Sequence, residues 1–234
     1  MKKILLTAAL VTLTAGTCFA GISTTKHNLS SGSAAAIKSG NQSQICVFCH
    51  TPHNALQNVP LWNRNSANAA NTYKLYTSST TLTTATKAAA LHADSQSLFC
   101  LSCHDGTIAT LASRVNRTGL ANNAAIDMSG GAAVWSGAGG TASTGPAMLG
   151  QDLTNDHPVG FSYGAAQAAD AGLDTATNVK TALGGNTVFF KANAGAIGDS
   201  MECSSCHAVH DNTNSPFLRK NNAGSALCLA CHLK

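Results

Sequence analysis

Large side chains and charge are both scarce in this chain of 234 residues: aromatics make up 5% and charged residues 10%. So few aromatics exclude an ordinary aromatic-rich core as the main source of buried surface. The formal net charge is +4, and without Lys2 and Lys3 twelve bases face ten acids. With no basic cluster to concentrate that small excess, a nucleic-acid-binding face is excluded. Beyond the first twenty residues no apolar run approaches the roughly 20 residues that a membrane-spanning helix needs. No strict repeat is visible outside the cysteine motifs. Ala, Gly, Ser, Thr and Asn fill much of the rest, so something other than side chains has to supply apolar surface.

What is present begins with the first twenty residues. Lys2 and Lys3 form a positive start, Ile4 to Ala15 an apolar run, and Gly16 to Ala20 a small-residue end. This is the pattern of a secretory signal peptide, with cleavage expected after Ala20. The run is short for a retained anchor. Export would place residues 21–234 at the outer cell surface or beyond it, with the periplasm as the alternative. Of the nine cysteines, Cys18 falls in this segment. An even number left over in an exported chain ordinarily points to disulfides, but here the spacing points elsewhere.

The eight remaining cysteines form four C-x-x-C-H motifs: Cys46-Val47-Phe48-Cys49-His50, Cys100-Leu101-Ser102-Cys103-His104, Cys203-Ser204-Ser205-Cys206-His207 and Cys228-Leu229-Ala230-Cys231-His232. This is the attachment signature of c-type haem. Two thiols three residues apart share one face of a helical turn, so each can add across a haem vinyl group. The following His is carried over the porphyrin face to the iron. Structural zinc also uses C-x-x-C pairs, but it does not call for a His directly after each one. The expectation is four covalently bound haems, fixed through Cys46, Cys49, Cys100, Cys103, Cys203, Cys206, Cys228 and Cys231. Their proximal ligands are His50, His104, His207 and His232.

Five further histidines remain for the opposite axial positions: His27, His53, His92, His157 and His210. Five spare imidazoles for four irons make bis-His ligation the natural solution. Ligation by Met128, Met148 or Met201 is not needed, and His/Met ligation would raise the potential. His53 and His210 each follow a proximal His by three residues. Neither can reach round its own haem, but each can reach the iron of a neighbour and draw two haems together. His157 precedes Pro158, which disfavours helix and holds it extended, and Asp156 or a backbone carbonyl could orient its other ring nitrogen. For the last place His27, on an N-terminal arm, is preferred to His92, on an expected short helix. A ligand on such an arm could also serve a haem in the next subunit.

Lys26-His27-Asn28-Leu29-Ser30, Cys46-Val47-Phe48-Cys49-His50-Thr51-Pro52-His53-Asn54, Cys100-Leu101-Ser102-Cys103-His104-Asp105-Gly106 and Asp156-His157-Pro158-Val159-Gly160 resemble the surface multihaem cytochromes of metal-reducing bacteria. The chain is most similar to their tetrahaem filament-forming members. The resemblance covers both ends and all four motifs. It implies extracellular, conductive filaments with a continuous haem chain, bis-His ligation, and one distal His supplied by the adjacent protomer, a role that would fall to His27. The partners implied are other copies of the chain, outer-membrane electron conduits or other multihaem cytochromes, and extracellular metal oxides or electrodes.

For the fold, residues 21–234 are expected to form a single tetrahaem domain. It would be mostly irregular coil with short helices around the motifs, a haem core, and little or no sheet, since alternating apolar runs are scarce. A Gly/Ala/Thr/Asn-rich segment at about 119–200, with Gly130-Gly131, Gly139-Gly140 and Gly184-Gly185, implies turns rather than long helices. Short helices are expected at Tyr163–Ala171 and Thr86–Ala93, the latter after a Ser/Thr run from Thr77. The function expected is electron transfer rather than catalysis. The alternatives are a soluble periplasmic shuttle and a multihaem reductase with one open iron.

Overall fold

The computed structural model describes residues 21–56, 61–65, 73–76, 91–92, 95–107, 112, 114–133, 147–185, 188–189 and 199–233. The expected signal peptide, the Ser/Thr run, Gly139-Gly140 and most of the helix expected at 86–93 lie outside them. The described residues are mainly coil, with four short α-helices, several 3-10 turns and one two-stranded sheet. None of the helices is long and apolar enough to cross a membrane.

Helix α1 spans Ser97–His104 and contains the second motif. Leu98 and Leu101 face inward and join Tyr73, Leu75, Leu91 and Leu153 in one small core. The helix stops at Asp105, and Gly106 follows at φ +73°, a conformation that costs a side-chain-bearing residue about 1–2 kcal/mol. Helix α2, Tyr163–Ala169, starts where the Ser162 hydroxyl accepts the Ala165 N–H. It ends two residues earlier than the sequence suggests because Asp170 is extended. Helix α3, Ala176–Leu183, is capped by Thr175, whose Oγ1 accepts from the Asn178 N–H. It closes on Gly184 at φ +101°, a left-handed position suited to glycine. Helix α4 is the single turn Cys203–Cys206, opened by a capping box between Glu202 and Ser205.

Strands β1, Phe161–Ser162, and β2, Ser200–Met201, pair antiparallel, with Phe161 opposite Met201. The pairing ties the Gly-rich segment to the third motif, and Gly160 N–H donates to Met201 C=O at 2.7 Å.

Apolar packing is divided among three small clusters, each built on a haem motif. Val47 and Phe48 of the first motif pack with Ile126, and Leu101 of the second anchors the cluster described above. Ala230 of the fourth joins Tyr163, Val179, Leu183, Val188, Phe189 and Met201. Between the paired cysteines, Val47, Phe48, Leu101, Ser102, Ser205 and Ala230 thus face the protein, whereas Leu229 is exposed. Burying side chains such as Phe48 contributes about 1.5–3 kcal/mol each.

The N-terminal arm expected to be flexible is instead pinned. Gly21 N–H donates to His210 C=O at 3.0 Å, Asn28 Nδ2 donates to Ser23 C=O at 2.7 Å, and Ser31 N–H donates to Gln42 C=O at 2.8 Å. Thr25, Asn28 and Ser30 are buried. Short-range hydrogen bonding among small polar residues orders this stretch without an apolar core of its own.

Candidate haem centres

All four motifs fold into a helical turn. The His N–H donates to the carbonyl of the first Cys at 2.7 Å for His50, 3.1 Å for His207 and 3.0 Å for His232. His104 ends α1, which contains the second motif. A single turn therefore places two thiols along one face and swings the imidazole beside them, the geometry that two thioethers and one axial ligand demand. None of the eight cysteines of these motifs is in a disulfide. Among the described residues no three His, Cys, Asp or Glu side chains converge on a metal-sized site, as structural zinc would require.

Three of the four motif histidines face a second imidazole from elsewhere in the chain. Ring centres are 6.0 Å apart for His50 and His210, 6.1 Å for His104 and His27, and 6.5 Å for His232 and His157. A metal–imidazole bond is about 2 Å, and a ring nitrogen lies about 1 Å from its ring centre. Two ligands on opposite sides of one iron therefore have centres about 6 Å apart. These pairs fit bis-His haem iron and are too far apart to be stacked on each other.

Hydrogen bonds orient the rings. The carbonyl of Ala147 lies 2.6 Å from His104 Nδ1, that of Pro158 2.9 Å from His157 Nδ1, and that of Pro216 3.0 Å from His207 Nδ1. With Nδ1 donating, Nε2 carries the lone pair that a metal needs. Burial disfavours the charged ring at His27, His104 and His157. His27 is pushed down to about 4 by burial first and then by His104, His207 and His210. His104 and His157 are also lowered by burial. Leu229 within the fourth motif, Leu233 directly after it and Val209 just after the third are exposed, apolar surface of the kind a porphyrin would cover.

The thiols of successive motifs lie close together. Burial, then the nearby Cys103, pushes Cys49 up to about 12. Cys100 shares a hydrogen bond with Cys203, which raises the Cys100 thiol. Burial, then Cys206, pushes Cys231 up to about 11. The motifs therefore follow one another in space as they do in sequence, first to second to third to fourth.

Three histidines lie outside these pairs. His207 and His53 are both exposed, and among the described residues neither faces another ring. His92 is half-buried just ahead of α1, where its carbonyl accepts the Ser95 N–H at 2.9 Å. Of the methionines, Met201 is in the apolar cluster at the fourth motif, Met128 packs on the one at the first, and Met148 lies against Gly106 beside the second.

Several site neighbours had no signal in the sequence. Trp62 stands edge-on to His50, with centres 5.7 Å apart, and stacks on Phe99 at 4.7 Å. Phe217 stacks on His27 at 4.6 Å. Glu202, buried between the second and third motifs, accepts from Ser95, Ser97 and Ser200. Glu202 directly precedes Cys203 in the sequence, but its partners Ser95 and Ser97 lie about a hundred positions away.

A family model for the doubled CXXCH motif matches residues 196–234, the stretch that holds the third and fourth motifs. No curated protein matches the chain. The doubled motif indicates covalently bound c-type haem and, with it, a multihaem c-type cytochrome suited to electron transfer.

Proposed function

We propose that this chain carries four bis-His c-type haems and serves as the subunit of an extracellular, conductive filament that passes electrons to external acceptors. The observation that carries the reading is the set of three imidazole pairs at 6.0–6.5 Å, each joining a motif His to a distant segment. The bound haems would supply irons that change oxidation state by one electron. The protein's residues do the rest. Eight cysteines would fix the spacing, His50/His210, His104/His27 and His232/His157 would hold three of the irons, and the carbonyls of Ala147, Pro158 and Pro216 orient ligand rings. A site with both axial positions filled leaves no place for substrate, which favours a carrier over an enzyme.

The fourth pair is the link between copies. His27 stands beside His104 of its own chain, so His53 takes the outgoing role and meets His207 of a neighbouring copy. Both rings are exposed, and His207 is already oriented through Nδ1. A contact between two different surfaces that does not close on itself propagates into a filament. The pattern of residues 1–20 supports export, and outer-membrane conduits, other multihaem cytochromes, metal oxides or electrodes are the partners proposed.

The exposed His207 also favours a second reading, a reductase whose third-motif iron stays open. Mass spectrometry of the full chain should show four haems added. Its ferric spectrum should contain one high-spin haem in four when dilute and none when assembled. A high-spin fraction that persists in assembled material, together with cyanide binding, would favour the reductase. Monomers at every concentration would favour a soluble shuttle.

A further inference from the structure

We propose that Glu202 is a potential-setting residue, a buried negative charge that holds the haems of the second and third motifs at lower potential than those of the first and fourth. The inference rests on the haem assignment above. Glu202 is 1% exposed. Its carboxylate accepts from Ser95 Oγ at 2.6 Å, Ser97 Oγ at 2.5 Å, the Ser97 N–H at 3.1 Å and Ser200 Oγ at 2.6 Å, and the capping box adds the Ser205 N–H. Every one of these contacts donates to the carboxylate, so its oxygens are fully partnered without a cation. Among the described residues no cation pairs with it; the ion pair found there joins Lys74 to Asp152.

A cap alone does not require this arrangement. Ser, Thr, Asp or Asn caps a helix from an exposed position, whereas here a full carboxylate is sunk between two haem-bearing helices. Ser97, which binds it, lies one turn before Cys100 on α1 and accepts the Cys203 N–H at 3.1 Å. Ser204 Oγ donates to Gln96 Oε1 at 3.2 Å and closes the same junction. Reducing a haem removes one positive charge from its iron. A fixed negative charge in a low-dielectric interior opposes that loss, and its effect falls with distance. The haems on Cys100/Cys103 and Cys203/Cys206 feel it most, and those on Cys46/Cys49 and Cys228/Cys231 least.

The test is a redox titration of the assembled, fully haem-loaded chain by EPR, with low-spin signals assigned from distal-histidine variants. In the unaltered chain the second- and third-motif haems should be the two of lowest potential. In Glu202→Gln both should become easier to reduce, with the oxidised-to-reduced ratio at fixed potential falling about tenfold, which is 59 mV for a one-electron couple. The other two should move far less. Ser205→Ala, which weakens the cap but keeps the charge, should leave all four in place. The proposal is overturned if Glu202→Gln carries four haems and none moves, if all four move together, or if Ser205→Ala reproduces the shift. If Glu202→Gln does not fold, the wild-type order still decides it: a second- or third-motif haem found among the two highest potentials overturns it. Absence of covalent haem in the unaltered chain would instead defeat the haem assignment itself.

Discussion

A ligand histidine has to be neutral, aimed and close to its partner, and the sequence announces only part of this. C-x-x-C-H identifies His50, His104, His207 and His232 because the chemistry is local to five residues. His27, His157 and His210 could be nominated by counting imidazoles, but their pairing depends on contacts across dozens of positions and could not be read. Glu202 was missed for the same reason. His27→Ala should leave haem attached at Cys100 and Cys103 while converting that iron to high-spin, and added imidazole should restore the low-spin spectrum; an unchanged spectrum would remove His27 from the ligand set. The pH dependence follows from its burial. Because His27 is depressed from 6.5 to about 4, the unfolded chain binds the proton first as pH falls. The stability tied to the neutral ring is complete above 6.5 and is lost between 6.5 and about 4. That loss is about 3 kcal/mol as an order of magnitude. Iron bound to the same ring competes with the proton, so acid titration of the loaded chain should show the low-spin to high-spin change below pH 4, and a transition near 6.5 would contradict the burial.

Elements here are short because the sequence rarely gives a helix more than two turns of apolar spacing. The expected helix at Tyr163 is present, since Ser162 provides a cap and alanines follow. Helix α3 went unrecognised although its signals were in view: Thr175 before it and Gly184-Gly185 after it bracket Val179 and Leu183. The run between them is polar enough to read as loop, and only packing on Tyr163 and Phe189 makes its apolar face visible. The β1–β2 pair is two residues long, too short for alternation to register. Helix α3 packs on the fourth-motif cluster through Val179 and Leu183 and carries no cysteine or ligand histidine, so its cap can be weakened without altering a haem-binding residue. Thr175→Ala should lower stability by about 1 kcal/mol in denaturant titration and leave the haem complement at four. Loss of a haem would mean that α3 shapes the attachment site directly.

On the scale of the molecule, the scarcity of large side chains has a structural counterpart. Three small clusters, each anchored by residues inside or beside a haem motif, replace a single core. Segments far apart in sequence meet at imidazole pairs, so bound iron would cross-link the chain at three places and, through His53 and His207, join one copy to the next. The last link can be tested by mixing. His53→Ala should abolish filaments, because no copy can reach out, and so should His207→Ala, because no copy can receive. A mixture of the two variants has one intact contact: His53 on the His207→Ala copy can meet His207 on the His53→Ala copy. The resulting pair is blocked at both free ends. Electron microscopy and light scattering should therefore show discrete dimers in the mixture and monomers in each variant alone. Long filaments in any of the three samples would mean that copies are joined by some other contact, and dimers in a single variant would mean that the contact does not run from His53 to His207.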